Sequence, residues 1–160
     1  MRKRIICIVL VAMLIFSLAF AQGVPKLKLT VIDTKVNMTQ AEKEGKAQIN
    51  YKPGDIIRYT IIAGNVGNGI LANPLITDPV PKGVSYKPFS AKGESAEITY
   101  SVNEGRLFQS WPPTYRVKDE KGEVVTKLAP PEMITHVRWE LKKPLAPNES
   151  QQLEFEVIVK

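Results

Sequence analysis

Short runs in which apolar and polar residues alternate dominate the chain after residue 26. Alternation with a period of two places every second side chain on one face of an extended segment, so each run predicts a strand with one buried face. The inward positions predicted in this way are Leu27, Leu29 and Val31; Ile57, Tyr59 and Ile61; Ile98, Tyr100 and Val102; Val137, Trp139 and Leu141; and Leu153, Phe155, Val157 and Val159.

Turn-forming residues separate these runs at short intervals, as in Pro53-Gly54-Asp55, Lys121-Gly122 and Pro130-Pro131. No segment keeps a helical apolar period, and the polar stretch 39–46 is interpreted as a loop. Several short strands with regular turns predict an all-β fold, a sandwich of two antiparallel sheets with about seven to nine strands.

The amino terminus has the pattern of a cleavable signal peptide. Arg2, Lys3 and Arg4 precede an apolar run over 5–18 that is shorter than the roughly 20 residues of a membrane-spanning helix, and Ala19-Phe20-Ala21 fits a cleavage site. We expect a signal peptide at 1–21 and a single domain at 22–160, exported to the periplasm, the cell surface or the medium. The alternative is an uncleaved amino-terminal anchor.

Removal of residues 1–21 changes the composition of the chain. The only cysteine, Cys7, is lost, so the mature protein has no disulfide, and its net charge falls from +6 to +3. Basic and acidic residues are interspersed, as in Lys118-Asp119-Glu120-Lys121, which is typical of a solvated surface and not of a nucleic-acid interface. We therefore expect no nucleic-acid partner and no stable membrane insertion after cleavage.

The glycine-rich segment 64–69 invites comparison with a phosphate-binding loop. Its order is G-x-x-G-x-G, no Gly-Lys-Ser/Thr follows, and prolines in the next segment disfavour the helix that a nucleotide loop requires. We interpret Asn65, Gly67, Asn68 and Gly69 as a turn between strands whose residues tolerate positive φ.

Three motifs resemble a known family: YKPGDIIRYTIIAGNVGNG at 51–69, ITDPVPKGVSY at 76–86, and the turn LAPNES at 145–150 that leads into the last strand. They are similar to domain of unknown function eleven, a conserved-repeat, immunoglobulin-like module of exported bacterial and archaeal envelope proteins. Asn148 stands where the family usually has glycine, and asparagine also accepts positive φ. The resemblance implies an immunoglobulin-like fold without enzyme activity or cofactor.

Residues that could carry catalysis or bind metal are sparse. His136 is the only histidine and is predicted on the outward face of its strand, so neither a Ser-His-Asp site nor a zinc site can be assembled around it. Asp55 or Asp78 could bind calcium with loop carbonyls, but the regular spacing of a calcium loop is absent. We expect no enzyme activity, no metal and no cofactor.

One stretch has the composition of a recognition surface. Within RLFQSWPPTYRVKD, residues 106–119, Phe108, Trp111 and Tyr115 accompany two prolines and are candidate contacts for a partner or a glycan. The alternative is that Phe108 and Trp111 form a satellite core beneath a long hairpin.

These features favour a non-catalytic structural or interaction module of the cell envelope. The alternatives are a secreted glycan-binding module that uses 106–119 and, with the least support, an envelope hydrolase. The partner is expected to be another envelope protein or a glycan.

We expect a monomer after purification, because Lys26, Lys28 and Lys35 would protect the first strand against edge pairing. The inward residues of the last strand offer no acceptor for an intramolecular isopeptide bond, so none is expected.

Overall fold

The computed structural model describes residues 23–160, so the predicted signal peptide and the cleavage site before Gln22 lie outside the described residues. The described chain is almost entirely β-structure, which confirms the all-β prediction. Its strands are β1 (Leu27–Lys35), β2 (Ile56–Asn65), β3 (Leu75–Pro79), β4 (Val84–Tyr86), β5 (Lys92–Gly93), β6 (Ala96–Ser101), β7 (Thr114–Lys118), β8 (Val124–Leu128), β9 (His136–Leu141) and β10 (Ser150–Val159).

The count of ten described strands exceeds the predicted seven to nine, because β4 and β5 are short pieces that pair with different parts of β10. The larger sheet has the order β1-β2-β10-β4, with β5 also beside β10, and the smaller sheet has the order β3-β9-β6. Strands β7 and β8 form a separate hairpin over 114–128, which agrees with the long hairpin assumed in the alternative interpretation of 106–119. All of these pairs are antiparallel.

The two sheets pack face to face through the predicted inward residues of β9 and β10. Trp139 of the smaller sheet and Phe155 of the larger sheet are both buried, and their ring centroids lie 6.0 Å apart. The alternation is confirmed along both strands, because Val137, Leu141, Leu153 and Val157 are also buried. Burial of each such side chain contributes about 1.5–3 kcal/mol.

Strand β1 differs from its prediction as a half-buried strand. Leu29 and Val31 share a face with Ala63 and Ile61 of β2, yet they are 44% and 50% exposed while their β2 neighbours are buried. The smaller sheet has three described strands, and none of them packs closely against β1. The burial predicted for Leu29 and Val31 was therefore wrong, because the sequence did not reveal that the covering strand is missing.

Lys35 does not protect the edge of β1, because its side chain is buried. Its Nζ donates hydrogen bonds to Glu42 Oε1 at 2.9 Å and to the carbonyl of Asn50 at 2.7 Å, and it lies 3.0 Å from Asp55 Oδ2. A buried charge requires paired and hydrogen-bonded surroundings, which the segment between β1 and β2 provides. The prediction that Lys35 is an exposed edge charge was therefore wrong.

The segment that supplies Glu42 contains a short helix, α1 (Gln40–Lys43), where the sequence predicted only loop. Thr39 and Glu42 form a capping box: the Thr39 side chain accepts from the Glu42 N–H, and the Glu42 carboxylate accepts from the Thr39 N–H. The Thr-x-x-Glu pattern is the signal for this start, and the polar composition obscured it.

The turn at 65–69 is present, but its glycines serve a different purpose from the predicted one. Among the described residues, none of those from Asn65 to Gly69 has positive φ. Instead, a Cβ at Gly67 or Gly69 would overlap the backbone of residues 23–26, which passes directly against the turn. Asn148, in contrast, adopts a φ of 65°, so its predicted conformation is confirmed.

Candidate functional site

The structure separates the three aromatic residues predicted as contacts. Phe108 lies beneath the guanidinium of Arg138, whose Cζ is 3.4 Å from the ring centroid, and Arg138 also donates to Thr77 Oγ1 at 2.9 Å. Tyr115 lies on β7, near the base of the hairpin. Within residues 23–160 neither ring pairs with Trp111, so the three side chains do not form one platform.

Trp111 instead belongs to a cluster of four rings contributed by separate segments. Its ring centroid lies 5.8 Å from that of Tyr86, at the end of β4, and 5.3 Å from that of Tyr100 on β6. Phe89, in the connection between β4 and β5, completes the group at 5.2 Å from Trp111. We refer to Tyr86, Phe89, Tyr100 and Trp111 as the aromatic cluster.

The cluster changes from buried to exposed across its width. Tyr86 and Tyr100 are buried, Trp111 is half-buried against them, and Phe89 is 77% exposed. Trp111 therefore combines both roles considered from the sequence. One side of its ring packs on the buried Tyr86 and Tyr100, and the other side contacts the exposed ring of Phe89.

Phe89 was not predicted from the sequence. Its φ is 59°, a conformation that a bulky residue adopts rarely and at a cost of about 1–3 kcal/mol. The available signal was the pair Pro88-Phe89, an aromatic residue beside proline in a connection between two short strands. That is the same combination that drew attention to 106–119.

The tyrosine hydroxyls of the cluster form internal hydrogen bonds. Tyr86 Oη donates to Tyr100 Oη at 3.2 Å and accepts from the Ala91 N–H at 3.3 Å. Burial raises the pKa of Tyr100 strongly, and the hydrogen bond with Tyr86 raises it further. Tyr100 therefore stays protonated near neutral pH, and its hydroxyl is unsuited to act as a base.

The candidate residues for catalysis and metal binding are dispersed or already engaged. His136 lies on the outward side of β9, and its Nδ1 is 3.1 Å from Thr135 Oγ1. Asp55 accepts from the Asn37 amide at 3.0 Å and from the Lys52 N–H at 3.0 Å, besides its contact with Lys35. Between residues 23 and 160 no group of three His, Cys, Asp or Glu side chains is positioned to hold a metal ion.

A groove of about 560 Å³ lies between the β7–β8 hairpin and the body of the protein. Polar groups in the wall of the groove form hydrogen bonds with each other. The Gln109 amide donates to the Thr114 carbonyl at 2.9 Å and accepts from the Thr114 N–H and hydroxyl. Tyr115 lines the groove together with apolar residues of 102–107 and Met133. This position leaves Tyr115 partly exposed, and its ring is not paired with any ring of the aromatic cluster.

Comparison of the chain with protein-family models, curated proteins and solved structures finds no match. In the part of the chain that the structure describes, no helix is long and apolar enough to cross a membrane.

Proposed function

We propose that the protein is a non-catalytic structural or interaction module of the cell envelope, exported as a single immunoglobulin-like domain after cleavage of residues 1–21. The predicted signal peptide supports export, and the three motifs that resemble the conserved-repeat family support the immunoglobulin-like assignment. Two antiparallel sheets packed through Trp139 and Phe155 agree with such a sandwich.

One observation carries the interaction role: Phe89 is held in a costly conformation with its ring in solvent. Exposure of a large aromatic ring brings no burial energy to the isolated domain, and the left-handed backbone adds a cost. Both costs are recovered if a partner covers the ring, because aromatic anchors dominate the binding energy of interfaces. The aromatic cluster is therefore the proposed contact surface.

The geometry of the cluster favours a protein partner. The rings of Phe89 and Trp111 are inclined at 62°, so they form a notch with a projecting edge and not a flat platform for a sugar ring. Tyr86 and Tyr100 support Trp111 from below and keep its position fixed. Such a rigid notch suits an apolar side chain of another envelope protein.

The absence of catalysis is part of the proposal. It is supported by the position of His136 beside Thr135 and by the raised pKa of Tyr100, since neither supplies a general base next to a nucleophile. A turnover assay with envelope substrates in which His136→Ala abolishes activity would contradict it.

The proposed contact surface can be tested by differential capture. Immobilised wild-type protein and the Phe89→Ala variant are exposed to solubilised envelope proteins, with Ile70→Ala as a matched control because Ile70 is also strongly exposed (65%). We expect a species that wild type and Ile70→Ala retain and Phe89→Ala loses. Identical profiles for all three proteins would contradict the role of the cluster.

A secreted glycan-binding module is the second candidate. The half-buried ring of Trp111 favours it, since one exposed face of an aromatic side chain can stack on a sugar. Glycan-array binding that Trp111→Ala abolishes, while Phe108→Ala and Tyr115→Ala leave it intact, would support this function against the first. It would also identify which of the three predicted residues takes part.

A further inference from the structure

One side of the sandwich lacks a strand. Strand β6 contacts β5, so the order β6-β9-β3 places β3 over β2. Leu27 at the start of β1 packs against the core, but no described strand of the smaller sheet packs closely over the rest of β1. Ile76 of β3 and Ile61 of β2 are both buried in the same core cluster, which agrees with this placement. The inward side chains of β1 and the free edge of β3 together form a surface that we call the open side.

The open side is apolar with an acidic end. Leu29 and Val31 lie in line on the inner face of β1, and Asp33 follows them on the same face because it pairs with Tyr59. Asp33 accepts a hydrogen bond from the Tyr51 hydroxyl at 3.4 Å, and neither Asp33 nor Asp78 forms an ion pair within residues 23–160. A complementary partner would present apolar side chains next to a basic one.

The β7–β8 hairpin has this composition. Register places Tyr115, Val117, Val125 and Lys127 on one face, and Lys127 forms no ion pair with any described residue. The Ala129 N–H donates to the Pro113 carbonyl and closes the base of the hairpin. Among the described residues, the hydrogen bonds that join the hairpin to the body lie at this base, where the Gln109 amide contacts Thr114. A two-stranded hairpin is marginal by itself in water, so it gains stability when another sheet or strand covers it.

The two features lie at opposite edges of the smaller sheet. The open side adjoins β3, whereas the hairpin follows β6, whose outer edge meets Gln109 through its bridge to Tyr100. A hairpin at the β6 edge does not reach the open side of its own domain, but it can reach that of another copy.

We propose that the β7–β8 hairpin of one copy docks on the open side of a second copy, with Tyr115, Val117 and Val125 against Leu29 and Val31 and with Lys127 beside Asp33. The hairpin extends the smaller sheet at β3 and covers β1, which completes the sandwich. Because the donor and acceptor surfaces differ and lie at opposite edges of the smaller sheet, we expect a head-to-tail contact that repeats from copy to copy and forms chains. This inference goes beyond the proposed function and uses a surface separate from the aromatic cluster.

The contact is small, and its strength follows from its size. Strands β7 and β8 have five residues each, so the docked hairpin buries less than the roughly 1,200 Å² of a stable interface. A purified protein at low concentration is then monomeric, in line with the sequence-based expectation, and chains form at high local concentration. We expect dissociation constants between about 10 μM and 1 mM.

Sedimentation equilibrium of the described domain, from low concentration up to about 1 mM, tests the proposal. We expect the average mass to rise beyond that of a dimer. Asp33→Lys and Lys127→Glu should each weaken association about tenfold, while the double variant, in which the two charges are exchanged, should restore it. Glu94→Lys is the control, because it makes the same charge change as Asp33→Lys at an exposed site away from both surfaces.

Three outcomes would overturn the proposal. A monomer at every concentration leaves the open side to a different partner, and a mass that stops at two copies contradicts the head-to-tail chain. Association that the charge variants weaken without recovery in the double variant excludes the Lys127–Asp33 contact. None of these outcomes affects the capture experiment on Phe89, so the two proposals fail independently.

Discussion

Nζ of Lys35 lies 3.0 Å from Oδ2 of Asp55, at the point where β1 ends and β2 begins. Glu42 contacts the same Nζ at 2.9 Å, so one buried amine meets two carboxylates. The hydrogen bond with Glu42 raises the pKa of Lys35 most, despite the opposing effect of burial. Burial alone would raise the pKa of Asp55, but hydrogen bonds from the Lys52 N–H and Lys35 outweigh it and lower that pKa.

The first prediction is that Lys35 and Asp55 remain an ion pair and do not condense to an isopeptide bond. Amide formation requires a neutral amine and a protonated carboxyl, whereas both pKa shifts favour the charged forms. The intact mass of the exported protein should equal that of residues 22–160 without loss of water. Loss of one water from the mass, located by fragmentation to Lys35 and Asp55, would disprove this. It would also show that the sequence-based expectation, which considered only the last strand, missed the relevant acceptor.

The second prediction concerns stability in acid. The hydrogen bond from the Thr39 N–H, followed by that from Lys35, lowers the pKa of Glu42 from 4.5 to about 2. A lowered folded-state pKa contributes stability that is complete above the unfolded-state value and is lost as the pH falls through the folded-state value. The free energy of unfolding should therefore decrease between about pH 4.5 and 2, with Asp55 acting in the same direction.

The variant Glu42→Gln isolates this contribution. It keeps the size of the side chain and removes its titration, so its unfolding free energy should depend less on pH in the same window. Glu132→Gln, at an exposed carboxylate without an ion pair within residues 23–160, is the matched control and should follow wild type. Equal acid profiles for wild type and Glu42→Gln would contradict the assignment.

The third prediction is that the core depends on Trp139. Its side chain is buried against Phe155, and its Nε1 donates to the Lys92 carbonyl at 3.1 Å, so truncation leaves a cavity and an unpaired carbonyl. Trp139→Ala should cost about 3–5 kcal/mol of unfolding free energy in chemical denaturation. Phe89→Ala, which removes an exposed ring, should cost less than about 1 kcal/mol. Similar costs for both variants would contradict the described packing.

The fourth prediction tests the role of the glycine-rich turn. A Cβ at Gly67 would overlap the backbone of residues 24–26, so Gly67→Ala should displace this segment and break the bond from the Val66 N–H to the Lys26 carbonyl. We expect a loss of about 1–3 kcal/mol and faster hydrogen exchange at Val66. Gly64→Ala is the control, because the nearest atom to its Cβ is at an ordinary contact distance of 3.7 Å. Protection at Val66 that survives Gly67→Ala would refute the close approach.

Period-two patterning predicted the parts of the fold in which local sequence and burial agree. The inward residues of β9 and β10 are examples, since both strands lie in the middle of a sheet and one face of each meets the other. The same pattern failed for β1, because an apolar face indicates where a strand could be covered and not whether a covering strand exists. The prediction for Lys35 was wrong for a related reason: its partners Glu42 and Asp55 meet it only after the connection between β1 and β2 folds.

The candidate site was predicted only in part. Composition pointed to the aromatic residues of 106–119, yet their grouping depends on where three separate segments cross. Trp111 meets Phe89 because the chain after β6 returns beside the connection between β4 and β5. Neither the spacing of the residues nor their secondary-structure propensity predicts the contact between Trp111 and Phe89. For the same reason the positive φ of Phe89 could not be expected.

The most direct test of the interaction role is site-specific photo-cross-linking in intact cells. A photoreactive residue replaces Phe89 in the exported protein, and a second protein carries it at Ile70, at the opposite end of the sandwich. The account predicts a discrete cross-link to one envelope protein from position 89 that position 70 does not give. No cross-link from position 89, or the same species from both positions, would contradict the proposal that the aromatic cluster is the contact surface of an envelope module.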